Sequence, residues 1–285
     1  MRYVAFFFLL LLSLYFLFLK PYLSFKRIFY HIDGASINIS PFKIAIKDFY
    51  IYIPYGGNYY FLKLNGFTFS LENRPKLTLR EGMFTLIYKL SEKSERKGEI
   101  PKVFIPEILK ESSIKVDKFL VTIQGKRNIT VLVSDMRLEN RTLGANMDIL
   151  VNGTKVKAIL KDAYLGKTDM NIGDLRLFSD RFNFKIAGFL TQRDLKAKFK
   201  VEGTVREFDS LHVRVSPVKL RGEGVADYWG VKVWLVGKAK EVDRKGRKRF
   251  KDVMATADVD LRFGKGLVLS GKIWNEDISG DYNLE

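Results

Sequence analysis

The sequence predicts an all-β body tethered by one N-terminal membrane-spanning helix. Three observations predict it. Residues 3–19 form an uncharged apolar run, apolar and polar residues alternate through most of the remainder, and turn residues recur about every 8–12 positions.

The apolar run comes first. Arg2 precedes it and Lys20-Pro21 ends it. Its 17 residues lie at the short end of what spans a hydrocarbon core of about 30 Å. A cleaved export signal normally has a shorter apolar stretch followed by small residues. Here the exit reads Leu17-Phe18-Leu19-Lys20-Pro21-Tyr22, so the expectation is an uncleaved anchor over residues 1–21. Lys20, Lys26 and Arg27 on the far side would, by the positive-inside rule, hold the body in the cytoplasm. The short basic leader before the apolar run reads instead as an export signal, and export is the expectation. Residues 22–31 are expected to extend the anchor helix.

The body then reads as strand after strand. Phe42, Ile44 and Ile46 alternate with Lys43 and Lys47, and Phe49, Ile51 and Ile53 follow. Phe61 to Leu64 leads through Asn65-Gly66 into Phe67, Phe69 and Leu71, a hairpin signal. After the uninterrupted polar stretch 91–99, a loop and candidate boundary, Pro106 to Glu111 is compatible with one or two helical turns. Phe119, Val121 and Ile123 turn through Gly125 to Asn128 into Ile129, Val131 and Val133. Met147, Ile149 and Val151 turn through Asn152-Gly153 into Val156, Ala158 and Leu160. Further runs lie at 182–186, 195–201, 211–220, 231–236, 254–263 and 267–273. Gly222-Glu223-Gly224 reads as a turn or bulge. About fifteen antiparallel strands are expected, in two β segments, 22–98 and 99–285. Alternation leaves two solutions open, a closed sandwich with its own core and a long curled sheet with one apolar face.

Composition narrows the chemistry. The 285 residues carry 49 Lys and Arg against 32 Asp and Glu, a net charge of +17 that suits an anionic partner. Without cysteine, disulfides, thiolate metal sites and cysteine nucleophiles are excluded. His31 and His212 stand apart from any metal-binding spacing. No nucleophile elbow or phosphate-cradling loop occurs. The expectation is a protein that is not an enzyme and uses no cofactor or metal. Basic residues beside aromatics, as in Arg249-Phe250-Lys251, would suit nucleic acid, but no nucleic-acid motif accompanies them and no nucleic-acid partner is expected. The glycosylation sequons at Asn128, Asn140 and Asn152 bear on the protein only in a glycosylating host.

The order of elements also carries a resemblance. The anchor is followed by Ile37-Asn38-Ile39-Ser40-Pro41-Phe42-Lys43-Ile44, then by Phe61-Leu62-Lys63-Leu64-Asn65-Gly66-Phe67-Thr68-Phe69. Next come a short Pro106-Glu107-Ile108-Leu109 segment and Ile114-Lys115-Val116-Asp117-Lys118-Phe119-Leu120-Val121-Thr122-Ile123. This order resembles the N-terminal part of the AsmA-like superfamily, which includes TamB-like proteins. The resemblance covers residues 1–135 in element order and the rest in texture, and members of the family are usually much longer. It implies an extended curled antiparallel sheet, a β-groove. It also implies an inner-membrane, single-pass anchor with a periplasmic body, linked to phospholipid movement across the cell envelope and to outer-membrane biogenesis.

The residues fit that expectation. Phe42, Ile44, Ile46, Phe67, Phe69, Phe119, Val121 and Ile123 are the candidate lining of a groove for phospholipid acyl chains, each buried CH₂ contributing about 0.8 kcal/mol. The same residues would equally fill an ordinary core. The densest basic run, with Arg244, Lys245, Arg247, Lys248 and Arg249 at an expected hairpin tip, is the candidate contact for anionic headgroups at a membrane surface. Lys196, Lys198 and Lys200 are expected on the outward face of a strand. The competing function is an assembly scaffold that binds an outer-membrane or envelope partner protein by strand addition.

Overall fold

Phe, Ile, Val, Tyr and Thr dominate the alternating runs, and those residues pack well on a pleated surface. In a computed structural model they form strands. The structure describes residues 27–284 except 56, 88–110, 126–127, 152, 192–195, 210–212, 228–229, 245–247, 263–265 and 278. Nineteen strands and no helix occur among the described residues. The apolar run at 3–19 and the segments 91–99 and 106–110 lie outside the described residues.

The chain divides into two compact units. Unit 1 comprises Met1–Glu95, Lys115–Ser134 and Leu150–Thr154. Its ladder joins β1 (Phe29–Asp33) and β2 (Ser36–Ile39) to β3 (Phe42–Tyr55), then β4 (Asn58–Leu71) and β5 (Pro75–Ile87). β6 (Ser113–Gln124) also falls largely in unit 1. β7 (Ile129–Glu139) and β8 (Thr142–Val151) follow, and the turn after β8 has Gly153 at φ +86°.

Unit 2 comprises Arg96–Ile114, Asp135–Ile149 and Lys155–Glu285. Its ladder runs through β9 (Thr154–Leu165), β10 (Asp169–Phe178), β11 (Phe182–Thr191) and β12 (Lys196–Val205). β12 pairs with β15 (Val218–Asp227), which leads to β16 (Gly230–Arg244), β17 (Lys248–Arg262), β18 (Gly266–Trp274) and β19 (Ser279–Leu284). The short β13 (Phe208–Asp209) and β14 (Val213–Val215) interrupt the hairpin between β12 and β15, and β14 pairs with the far end of β16. Every one of these pairings is antiparallel.

The break before β15 follows from Pro217, which has no N–H to give the ladder. Ser216 closes the gap. Its N–H donates to the Glu241 carbonyl and its hydroxyl accepts the Glu241 N–H, both at 2.9 Å.

Three expectations change. Phe29, Tyr30 and His31 pair with Tyr52, Ile51 and Tyr50, so this stretch is strand rather than an extended anchor helix. Asn65-Gly66 is no hairpin turn. It lies inside β4, whose two halves pair continuously with β3 and β5. Gly66 has φ +65°, which a tight turn and a strand irregularity use equally, so sequence alone cannot separate them. Gly222 and Gly224 are likewise interior residues of β15, opposite Leu235 and Val233.

Gly66 belongs to a line of irregularity. Lys47 and Gly66 both drop out of the β3–β4 register between Ile46↔Phe67 and Asp48↔Asn65. Gly66 and Arg80 drop out between β4 and β5 in the same way. The Lys47 N–H reaches the Gly34 carbonyl, 3.4 Å away. Along this line the apolar spacing steps by three instead of two: Ile46 to Phe49, Leu64 to Phe67, Leu79 to Gly82. An extra residue in each strand keeps the apolar residues on one face through the step. A β-carbon at Gly82 would approach the Leu79 side chain to 3.1 Å, which places the two residues on the same side.

Candidate functional site

Register decides which apolar residues share a face. In unit 1, Phe42 lies opposite Leu71, Ile44 opposite Phe69 and Ile46 opposite Phe67. Phe67 and Phe69 continue to Leu79 and Leu77 on β5. The Phe42 and Phe69 rings meet edge-on with centroids 6.3 Å apart. A β-carbon at Gly82 would overlap the Phe119 ring, so Phe119 covers Gly82 beside Leu79. Six of the eight predicted lining residues, Phe42, Ile44, Ile46, Phe67, Phe69 and Phe119, therefore join one apolar surface. Val121 and Ile123 follow Phe119 at two-residue spacing along β6 and are half-buried with it.

Unit 2 has apolar rows of its own, absent from the predicted site. One row runs Leu177, Phe184, Gly203, Leu220, Gly237, Ala255, Ile273. Another runs Ile172, Gly188, Phe199, Gly224, Val233, Val259, Leu269. Between them lie Leu175, Ile186, Val201, Gly222, Leu235 and Ala257. No charged or amide side chain interrupts these rows.

A repeated packing device keeps this surface low. The Phe184 ring occupies the space over Gly203, the Phe199 ring lies over Gly224, and Leu220 leans over Gly237. With Phe119 over Gly82, that makes four large side chains laid across a glycine, three of them on the neighbouring strand in register. The result is a broad, shallow apolar surface.

Burial shows that the surface is not sealed. The buried apolar residues among those described are Leu, Val and Ala, with no aromatic side chain in the group. Phe42 is 37 % exposed, and Ile44, Ile46, Phe67, Phe69, Phe119, Phe184 and Phe199 are half-buried. A filled sandwich core would take such aromatics fully out of water.

The opposite face of unit 2 is charged. Lys196, Lys198 and Lys200 are exposed there, as the alternation predicts, between half-buried Ala197 and Phe199 and buried Val201. A depression of about 700 Å³ on that face is lined by Arg176, Lys185, Lys219, Arg221 and Lys238, with Glu202 beside them. Asp174 accepts two hydrogen bonds from the Arg176 guanidinium, at 3.2 and 3.1 Å, and that contact holds its carboxyl below the usual range. Asp252, 2.9 Å from the Lys238 ammonium, is lowered in the same way. Trp234 is 42 % exposed, with the Lys232 ammonium 6.0 Å from the ring centre.

The predicted headgroup contacts divide. Arg244 ends β16, exposed, and Arg244 pairs in register with Lys248 across the expected hairpin. Arg249 is committed to Glu241 at 2.7 Å and Asp243 at 3.7 Å. Lys245, Arg247 and the Lys248 side chain lie outside the described residues. His31 stacks on Tyr50 with centroids 5.2 Å apart, and His212 lies outside the described residues. No cluster of metal-ligating side chains occurs among the described residues.

Alternation within single strands does not reveal the rows of unit 2, because they run across β10 to β18 through register. The signal was present in the glycines, which recur at apolar-phase positions of the pattern. No family model matches the chain, and no curated protein matches its sequence.

Proposed function

We propose that this protein is a membrane-anchored envelope protein of AsmA-like type that holds phospholipid acyl chains on the apolar face of its β-sheet, in phospholipid transfer between membranes or outer-membrane biogenesis. One observation carries the reading: row after row of apolar residues shares a face, and its largest side chains remain half in water. A face of that kind gains free energy when an acyl chain covers it, up to about 0.8 kcal/mol per CH₂ removed from water. The charged opposite face and the ion-paired edges leave headgroups in a polar environment. The mechanism is passive: chains lie along the surface and exchange by sliding, and no residue acts as acid, base or nucleophile.

Photo-crosslinking on the full chain in its membrane tests the reading. A benzophenone amino acid replaces Phe69, Phe119 or Phe199 on the apolar face, and Lys200 on the charged face. Phospholipid adducts at the first three positions and none at Lys200 are expected. Adducts to protein alone at those positions would overturn the lipid reading.

A second reading has its own observation. Ile37 and Ile39 on the short strand β2 are 55 % and 77 % exposed, as expected of a strand that offers itself to a partner protein. A benzophenone at Ile39 that captures one defined protein would favour the scaffold role.

A further inference from the structure

The two faces of the unit 1 sheet are chemically distinct along most of its length but not at the end where the chain enters. The last rows before the β3–β4 turn are apolar on both sides. On the face already described they contain Ile51, Leu62 and Phe84, then Ile53, Tyr60 and Leu86. On the other face they contain Phe29, Tyr52 and Phe61, then Pro54, Tyr59 and Ile87. The rings of this second face touch in sequence: Phe29 to Tyr52 at 6.3 Å, Tyr52 to Tyr59 at 5.9 Å, Tyr50 to Phe61 at 6.3 Å. Phe29 is 63 % exposed, Tyr55 at the turn 75 % and Ile87 40 %.

The same face changes abruptly further along the strands. The next row holds His31, Tyr50, Lys63 and Met83, and the one after it Asp33, Asp48, Asn65 and Glu81. At about 3.3 Å per residue, the acidic row lies about 20 Å from the Tyr59–Ile87 row. Aromatic rings at one level, a cation and a histidine next, and carboxylates last is the order of polarity met on leaving a bilayer. Tyrosine is enriched at the membrane interface because its ring is apolar and its hydroxyl is wet.

The chain's own length limits where this end can sit. Nine residues, 20–28, separate the apolar run from Phe29, a span of at most about 36 Å. They include Lys26 and Arg27, the charges that favour an anionic headgroup layer.

We infer that the Tyr52–Tyr59 end of the unit 1 sheet is seated in the headgroup region of the bilayer that holds the anchor, both faces in lipid, so that the apolar face opens directly onto the acyl chains. This rests on the anchored, lipid-holding reading above and adds where lipid would enter.

The absence of cysteine makes the test direct. Thr85→Cys, in the row of Phe61, and Glu81→Cys, in the acidic row, are each labelled with an environment-sensitive fluorophore. The full chain is reconstituted in phosphatidylglycerol–phosphatidylcholine vesicles carrying a headgroup nitroxide lipid. The label at position 85 is expected to shift to the blue and to be quenched several-fold more than the label at 81. Equal, water-like signals from both would overturn the inference and leave the ring pairs as sheet packing alone. Lipid adducts from Phe69 and Phe119 are read in the same vesicles. Adducts with no quenching at 85 would reject this seating while sparing the lipid face; quenching without adducts would do the reverse.

Discussion

Gly82 matters for what it lacks. Any β-carbon there first meets the Phe119 ring and the Leu79 side chain. Gly82→Ala should therefore destabilise the fold by about 1–3 kcal/mol, the usual cost of overpacking. Phe119→Ala should relieve much of that cost when the two are combined, as a double-mutant cycle on denaturant midpoints would reveal. Asp174 supplies a prediction about protons. The Arg176 guanidinium donates to it and holds its folded pKa below the usual carboxylate value. A depressed carboxylate stabilises the fold above its unfolded value, near 3.9, and that contribution is lost as pH falls through the folded value. Arg176→Gln should raise the Asp174 titration midpoint toward the ordinary carboxylate value, followed by carboxyl chemical shift in NMR.

Several of the long strands of this protein contain irregularities in step with their neighbours. Ile46 to Phe49, Leu64 to Phe67 and Leu79 to Gly82 mark one line; Leu160 to Ala163 and Ile172 to Leu175 coincide with register shifts between β9 and β10. A third line passes through Lys240 of β16, left out of the register between Ala239↔Val253 and Glu241↔Lys251, and through Asp252, which has φ +48°. At each, one added residue would turn the following side chains to the wrong face if its neighbours did not add one too. Gly66 is the residue on which the first line depends. Gly66→Ala places a side chain at φ +65° and within 3.0 Å of the Arg80 β-carbon. It should lower stability by about 1–2 kcal/mol, whereas Gly153→Ala, with open space around it, should bear the φ cost alone. Thermal unfolding of the pair separates crowding from backbone strain.

In each unit apolar residues share one face of the sheet, and in unit 2 the opposite face carries charged side chains such as Lys196, Lys198 and Lys200. This gives an unusual stability expectation. Phe→Ala in a filled core costs about 3–5 kcal/mol. On a face whose rings are half in water, Phe69→Ser should cost well under that, while lipid adducts from neighbouring positions fall several-fold. Equal loss of stability and of adducts would mean that the face is core after all.

The sequence by itself determined the class of the fold. Alternation is a local property, and the residues that make Lys196–Val205 a strand with lysines outward are read without knowing its neighbours. It also marked Phe42, Ile44, Ile46, Phe67 and Phe69 as apolar positions of alternating strands, but only the pairing of β3 with β4 set them opposite one another. It did not distinguish Asn65-Gly66 as an interior irregularity from a turn, since a positive φ serves both. Nor did it assemble the rows through Phe184, Phe199 and Leu220, or set the rings of Tyr52 and Tyr59 together. Those depend on register across several strands, and on glycines whose function is the space they leave. A side chain's own strand fixes which side it points to; only its partners in the sheet decide what it lies against and whether water still reaches it.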